Sequence, residues 1–123
     1  MTKRELIDYC LTYPSAFEDY PFDETSAVLK HGGNKKMFAL IGERNGEVYI
    51  NLKCEPMRAD FLRSVFESVT PGWHMNKVHW NTVTMGAGTS CASDVSTEEL
   101  YDMIQHSFDL TKPKERNRNE SNP

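Results

Sequence analysis

The chain has 123 residues, a formal net charge of −4 and a hydrophobic content of 38%, so it is long enough for one domain with a single core. It lacks a run of about 18 apolar residues and an apolar stretch near Met1, so we expect neither a membrane span nor a secretory signal peptide. The three cysteines, Cys10, Cys54 and Cys91, are odd in number and widely spaced. This pattern predicts a reduced, cytoplasmic protein without a disulfide framework or a paired zinc motif.

Three amphipathic helices are predicted. Capping boxes that begin at Thr2 and Ser96 start the first and third helices, because a hydroxyl side chain there can bond to the helix backbone. Pro14 is expected to end the first helix. Pro56 suits the first turn of the second helix, whose apolar stripe is predicted to continue to Val69.

The remaining segments read as strands and loops. Residues 14–24 hold two prolines and four carboxylates and are predicted to be an acidic loop. Three alternating strands follow, over residues 26–31, 36–43 and 48–53. Two more strands are expected after the second helix, the last of them from about Trp80 to Met85. The order α-β-β-β-α-β-β-α predicts an α+β fold over residues 1–110, with two layers and an antiparallel sheet. Residues 111–123 contain no large apolar side chain, so we expect a disordered polar tail.

The dipeptide Asn45-Gly46 is the strongest hairpin signal in the chain, and a two-residue turn there places Ile41 opposite Ile50. One face of the hairpin is then predicted to enter the core, with Met37, Ala39, Ile41, Val48, Ile50 and Leu52. The other face carries Lys36, Phe38, Leu40, Tyr49, Asn51 and Lys53. If all helices cover the first face, the second stays at least partly open to solvent.

Residues 71–83, Pro-Gly-Trp-His-Met-Asn-Lys-Val-His-Trp-Asn-Thr-Val, are similar to the signature of the MmcQ/YjbR family of small bacterial proteins. Lys-Met-Phe-Ala at 36–39, Asn-Leu-Lys-Cys at 51–54 and Ser-Phe-Asp-Leu at 107–110 agree with the same pattern. The resemblance spans residues 2–110. It implies a compact fold of the frataxin or CyaY type, similar to "double wing" phage transcription-factor domains, and through that likeness a DNA-binding role. It implies no catalytic residue and no cofactor, so we do not expect an enzyme.

Basic and aromatic residues on the open face and in segment 73–80 supply the expected contacts with DNA. Lysines would bind phosphates, and each base stacked on an aromatic ring is worth ~1–3 kcal/mol. The predicted nucleic-acid-binding residues are Lys36, Phe38, Tyr49, Lys53, Trp73, His74, Asn76, Lys77, His79 and Trp80. Val78 stands where the family often has a basic residue, which removes one charge from this surface.

Other interpretations of the same residues stay open. The open face could instead bind a protein or a small ligand, which an apolar pocket at Phe38, Trp73 and Trp80 would favour. Phe38, Leu40 and Trp80 could also simply pack beneath a loop or the C-terminal segment. For all of these interpretations we expect a monomer.

Three weaker chemical patterns are present. His74 and His79, with cysteines, could hold a metal ion, although their spacing is more typical of turn or surface residues. The carboxylates of residues 18–24 could bind a cation or face solvent. Residues 86–90, Gly-Ala-Gly-Thr-Ser, resemble a phosphate loop but lack the lysine that such loops carry, which favours an ordinary connection.

Overall fold

Residues 1–85 and 94–114 are described by the computed structural model. Within them, three helices pack on one face of a six-stranded antiparallel sheet. The helices are α1 (Lys3–Cys10), α2 (Pro56–Val65) and α3 (Thr97–Thr111). The strands are β1 (Ala16–Asp19), β2 (Ala27–His31), β3 (Met37–Arg44), β4 (Glu47–Lys53), β5 (Val69–Pro71) and β6 (Trp80–Thr84). They lie in the order β1-β2-β3-β4-β6-β5, which confirms the predicted α+β class and antiparallel sheet.

The helix signals of the sequence are confirmed. The hydroxyls of Thr2 and Ser96 accept hydrogen bonds from the third helical residue, and both capping boxes are complete. Pro56 occupies the first turn of α2. This helix ends at Val65 rather than continuing to Val69, because the backbone turns extended at the next residue and Val69 enters β5.

β1 corrects the prediction of a loop over residues 14–24. Pro14 and Pro21 flank the four residues of β1, so neither proline removes a hydrogen bond from it. The strand pairs antiparallel with β2, and Lys30 Nζ lies 2.8 Å from Asp19 Oδ2 across the pair. The element order is therefore α-β-β-β-β-α-β-β-α, with one strand more than predicted.

The β3–β4 hairpin has the predicted register, with Ile41 opposite Ile50, but a bulge changes the beginning of β3. The register against β2 shifts between Leu29 and Lys30, which leaves Phe38 as an additional residue. Phe38 is fully buried on the helix side. Met37 instead lies on the opposite face of the sheet. The predictions that Met37 enters the core and that Phe38 lies on the open face are wrong for this reason.

The end of α3 also departs from expectation. Thr111, predicted to begin the tail, is buried, and its hydroxyl lies 2.8 Å from Nε2 of the buried His31. The rest of the predicted tail from residue 115 onward lies outside the described residues, as do the glycine-rich segment 86–90 and Cys91. No helix in the described part of the chain has the length and apolar character needed to cross a membrane.

Candidate functional site

A cavity of ≈ 300 Å³ lies on the side of the sheet that the helices leave uncovered. We call it the open-face cavity. It is bordered by the connection between β1 and β2 and by the connection between β5 and β6. Its lining residues are Phe22, Asp23, Ser26, Met37, Leu40, Tyr49, Asn51, Trp73, His74 and Met75.

A ring of three hydrogen bonds ties the Trp73 backbone to the sheet. The Trp73 backbone N–H donates to Thr82 Oγ1 at 2.9 Å, and the Thr82 hydroxyl donates to Asn51 Oδ1 at 2.5 Å. Asn51 Nδ2 closes the ring by donating to the Trp73 carbonyl at 3.1 Å. Asn51 and Thr82 are 2% and 0% exposed. The backbone N–H and carbonyl of Trp73 are therefore both held by side chains of β4 and β6.

Arg63 in α2 holds the other end of the same connection. Its Nε donates to Asn81 Oδ1 at 2.7 Å, and its Nη2 donates to the carbonyls of Trp80, at 3.2 Å, and of Lys77. By helical spacing Arg63 lies outside the apolar stripe of α2, yet its side chain is only 20% exposed. The sequence suggests only its ion pair with Asp60, three residues earlier and 3.4 Å away. It gives no sign of the other acceptors, which are two backbone carbonyls and an amide.

Gly72 and Lys77 complete the support of the connection. The Gly72 N–H donates to the Trp80 carbonyl at 2.8 Å, and the Lys77 ammonium donates to the Gly72 carbonyl at 2.8 Å. A Cβ at residue 72 would lie 2.8 Å from the Trp80 Cβ, so only glycine permits this approach. The ammonium of Lys77, predicted to bind phosphate, is instead engaged within its own loop.

Two aromatic rings form a wall of the cavity. The Tyr49 and Trp73 ring centroids are 4.8 Å apart, and the Arg44 guanidinium lies 4.7 Å from the Trp73 centroid. The Tyr49 ring passes over Gly42, where a Cβ would meet its hydroxyl at 2.8 Å. Burial, and then the negative charge of Asp23, raise the pKa of the Tyr49 phenol. The wall is thus a pair of half-buried rings, and the charge of the Asp23 carboxylate affects the Tyr49 phenol.

Asp23 supplies the carboxylate on the opposite border. Its oxygens accept the backbone N–H groups of Thr25 at 2.9 Å and Ser26 at 2.7 Å, and the Ser26 hydroxyl at 3.1 Å. These hydrogen bonds lower the pKa of Asp23, so it is ionised at neutral pH. Neighbouring Phe22 is 69% exposed at the rim. Among the described residues, no lysine or arginine lines the cavity.

Only part of the predicted nucleic-acid surface meets at this cavity. Tyr49, Trp73 and His74 line it. Phe38 does not reach it, because its ring packs in the core against Phe108, with centroids 5.0 Å apart. Trp80 lies outside the lining and faces Lys53 across the β4–β6 pair.

The other predicted contacts are spread over the surface. Lys36 is exposed in the turn before β3. Asn76 and His79 are exposed in the β5–β6 connection, where the Asn76 side chain accepts the N–H of Val78 at 3.0 Å and so stabilises the turn. The polar groups of this connection therefore serve largely to shape it.

Metal and thiol chemistry find little support in the described residues. Across residues 1–85 and 94–114, no group of three or more His, Cys, Asp and Glu is placed to hold a metal ion. Three carboxylates of the predicted acidic loop have protein partners: Glu18 is bonded to Arg4 at 3.0 and 3.1 Å, Asp19 lies 2.8 Å from Lys30, and Asp23 accepts N–H groups of its own loop. Burial raises the pKa of the Cys54 thiol and raises that of Cys10 to about 12, which disfavours the reactive thiolate.

Comparisons with known proteins match most of the chain. A family model described as YjbR matches residues 11–110. The uncharacterised protein YyaQ of Bacillus subtilis is 32% identical over 91% of this chain and 99% of its own length. The uncharacterised protein YjbR of Escherichia coli K12 is 34% identical over 88% of this chain and 85% of its own.

Solved structures agree with the fold. A Pseudomonas syringae protein superimposes with a TM-score of 0.75 at 29% identity, covering 90% of this chain and 99% of that one. A Deinococcus radiodurans protein gives a TM-score of 0.74 at 32% identity, covering 89% and 77%. The resemblance that began with residues 71–83 is confirmed, and the chain belongs to the YjbR family.

Proposed function

We propose that this protein is a small-ligand-binding module and that the open-face cavity is its site. The observation that carries the proposal is a cavity of ≈ 300 Å³ with an aromatic wall in which hydrogen bonds to Asn51 and Thr82 hold the Trp73 backbone. Small-molecule sites are concave, mostly apolar and largely formed before binding, with volumes from about 300 Å³ upward. Met37, Leu40 and Met75 supply apolar surface, while Asn51 and Ser26 add polar groups.

Fixed walls favour binding because little conformational entropy is lost when the ligand enters. The ring of hydrogen bonds through Asn51 and Thr82 and the Arg63 contacts hold the β5–β6 connection from two sides. A surface that only needed to be soluble would not require a buried polar network beneath it. The network therefore supports a role in which the position of Trp73 matters.

DNA binding is the second candidate, and it has a narrower basis. Lys53 and Trp80 are paired across β4 and β6 and offer a cation and an aromatic ring for a nucleotide. Lys36, which is exposed just before β3, offers a second cation. Against it, Lys77 is hydrogen-bonded within its loop and Phe38 is in the core. The net charge of −4 also disfavours salt-sensitive attraction to phosphates.

A ligand screen read by tryptophan fluorescence tests the proposal. The chain has two tryptophans, so a Trp80→Phe variant leaves Trp73 as the reporter inside the cavity. We expect compounds that alter its emission to raise the unfolding temperature of wild type as well. A Leu40→Trp substitution fills the cavity but adds a fluorophore, so it is read by unfolding temperature alone: the ligand-induced increase should be abolished in a protein that still unfolds cooperatively.

The two candidate functions give opposite results. Hits that bind Leu40→Trp as tightly as wild type would contradict a site in this cavity. Salt-dependent retention of duplex or single-stranded DNA by the wild type would favour the second candidate instead, provided that a Lys36→Glu/Lys53→Glu variant loses this retention. Our proposal expects no such retention at 150 mM salt, a concentration at which screening is already strong.

A further inference from the structure

We infer that the ligand of the open-face cavity is an organic cation, a tertiary or quaternary ammonium with an apolar body, held between the rings of Tyr49, Trp73 and Phe22 and the carboxylate of Asp23. This inference rests on the proposed function and specifies its ligand. It follows from the charge of the lining, from the arrangement of the rings and from the apolar surface between them.

The charge of the lining favours a cation. Asp23 contributes a carboxylate to the lining, and no lysine or arginine in the described part of the chain lines the cavity to neutralise it. Among the charges that act on the Tyr49 phenol, the negative charge of Asp23 has a larger effect than the positive charge of Arg44. An anionic ligand would lie close to the Asp23 carboxylate, without a lysine or arginine among the described lining residues to offset that charge.

The aromatic rings also favour a cationic ligand. The faces of aromatic rings attract cations, and cages of several rings are the usual way in which proteins bind quaternary ammonium groups. The Trp73 ring already attracts a cation, since the Arg44 guanidinium lies 4.7 Å from its centroid. Tyr49 stands 4.8 Å from Trp73. Phe22, 69% exposed at the opposite rim, is a third ring that a ligand could cover.

The hydrogen bonds that Asp23 already accepts favour an N-alkylated cation over a primary amine. The Asp23 oxygens already accept several hydrogen bonds. A primary ammonium brings three donors that need acceptors, whereas a quaternary nitrogen needs none. Met37, Leu40 and Met75 provide apolar contacts for its substituents. The remaining attraction to Asp23 is then a charge interaction at short range.

Benzyltrimethylammonium and its uncharged carbon isostere, neopentylbenzene, form the test, with phenylacetate as the anionic compound. Binding is measured from Trp73 emission in the Trp80→Phe background and by calorimetry on wild type. We expect the cation to bind at least tenfold more tightly than the isostere and phenylacetate to bind more weakly than either. Asp23→Asn, which keeps an oxygen for the backbone N–H groups, should weaken cation binding about tenfold and leave the isostere unchanged. Glu24→Gln, a neighbouring carboxylate outside the lining, should change neither.

Equal affinity for cation and isostere, or no effect of Asp23→Asn on a folded protein, would overturn the inference. If the cation fails to bind while other compounds bind in a manner that Leu40→Trp abolishes, the ligand class is wrong but the small-ligand site stands. If nothing binds at the cavity, both fail. Thermal unfolding of each variant identifies loss of folding as a separate cause.

Discussion

The buried ring of hydrogen bonds beneath Trp73 makes a sharp prediction for Thr82→Val. Valine keeps the shape of threonine but can neither accept from the Trp73 N–H nor donate to Asn51. Two hydrogen bonds are lost, each with a net contribution of ~0.5–1.5 kcal/mol, and leaving Asn51 Oδ1 without a donor costs a further ~1 kcal/mol or more. We therefore expect the free energy of unfolding to fall by roughly 2–4 kcal/mol.

Thr70 offers a matched control in the same sheet. It lies directly opposite Thr82 on the β5–β6 pair, with its side chain on the same face. Its hydroxyl is buried and has no hydrogen-bond partner among the described residues. Thr70→Val thus removes a buried polar group that makes no bond, and we expect it to be neutral or to stabilise by up to ~1 kcal/mol.

Urea denaturation followed by circular dichroism measures both variants. With a slope of about 1–3 kcal/mol per molar, the expected loss moves the Thr82→Val midpoint down by roughly 1 M or more. The Thr70→Val midpoint should stay at or above that of wild type. Similar destabilisation of the two variants would refute the network argument, because it would assign the effect to the hydroxyl-to-methyl change alone.

Three further predictions test other parts of the molecule. Arg63→Ala should lower the free energy of unfolding by about 2–3 kcal/mol through loss of charge-assisted hydrogen bonds, and Arg63→Lys should restore part of the lost free energy in the same denaturation assay. Burial lowers the pKa of His31, so as the pH falls this histidine is protonated in the unfolded chain before it is protonated in the folded protein. The free energy of unfolding should therefore decline below about pH 6.5. His31→Gln should reduce that decline in thermal melts from pH 7.5 to 5.5. In a Cys91→Ser variant, Cys10 and Cys54 should resist iodoacetamide until the chain is unfolded, because burial raises both thiol pKa values; rapid native alkylation detected by mass spectrometry would contradict this.

Local signals predicted much of this fold. Capping hydroxyls at Thr2 and Ser96 and the proline at residue 56 placed the helix starts, because these interactions form within four residues of chain. Asn45-Gly46 fixed the hairpin register for the same reason, and alternation then assigned Ile41 and Ile50 to the core.

Features that depend on distant partners were not predictable in this way. β1 has only four residues, and its pairing with β2 and the Asp19–Lys30 ion pair appears only in the folded chain. Arg63 lies outside the apolar stripe of its helix, yet its acceptors in the β5–β6 connection and β6 lie 14 to 18 positions further along the chain. The importance of Trp73 and Tyr49 was predicted, but the carboxylate and Phe22 that complete the cavity come from a segment whose position depends on β1.

The bulge in β3 explains why the cavity and the core both differ from simple alternation. One additional residue in β3 turns Phe38 toward α3, where its ring meets Phe108. The same irregularity leaves Met37 on the opposite face, beside Leu40 in the cavity. Strict alternation would have placed Phe38 on the open face, toward the end of β3 that pairs with Leu52 and beyond. The bulge instead places both Phe38 and Ala39 in the helix-side core and leaves Met37 as the β3 residue that lines the cavity with Leu40.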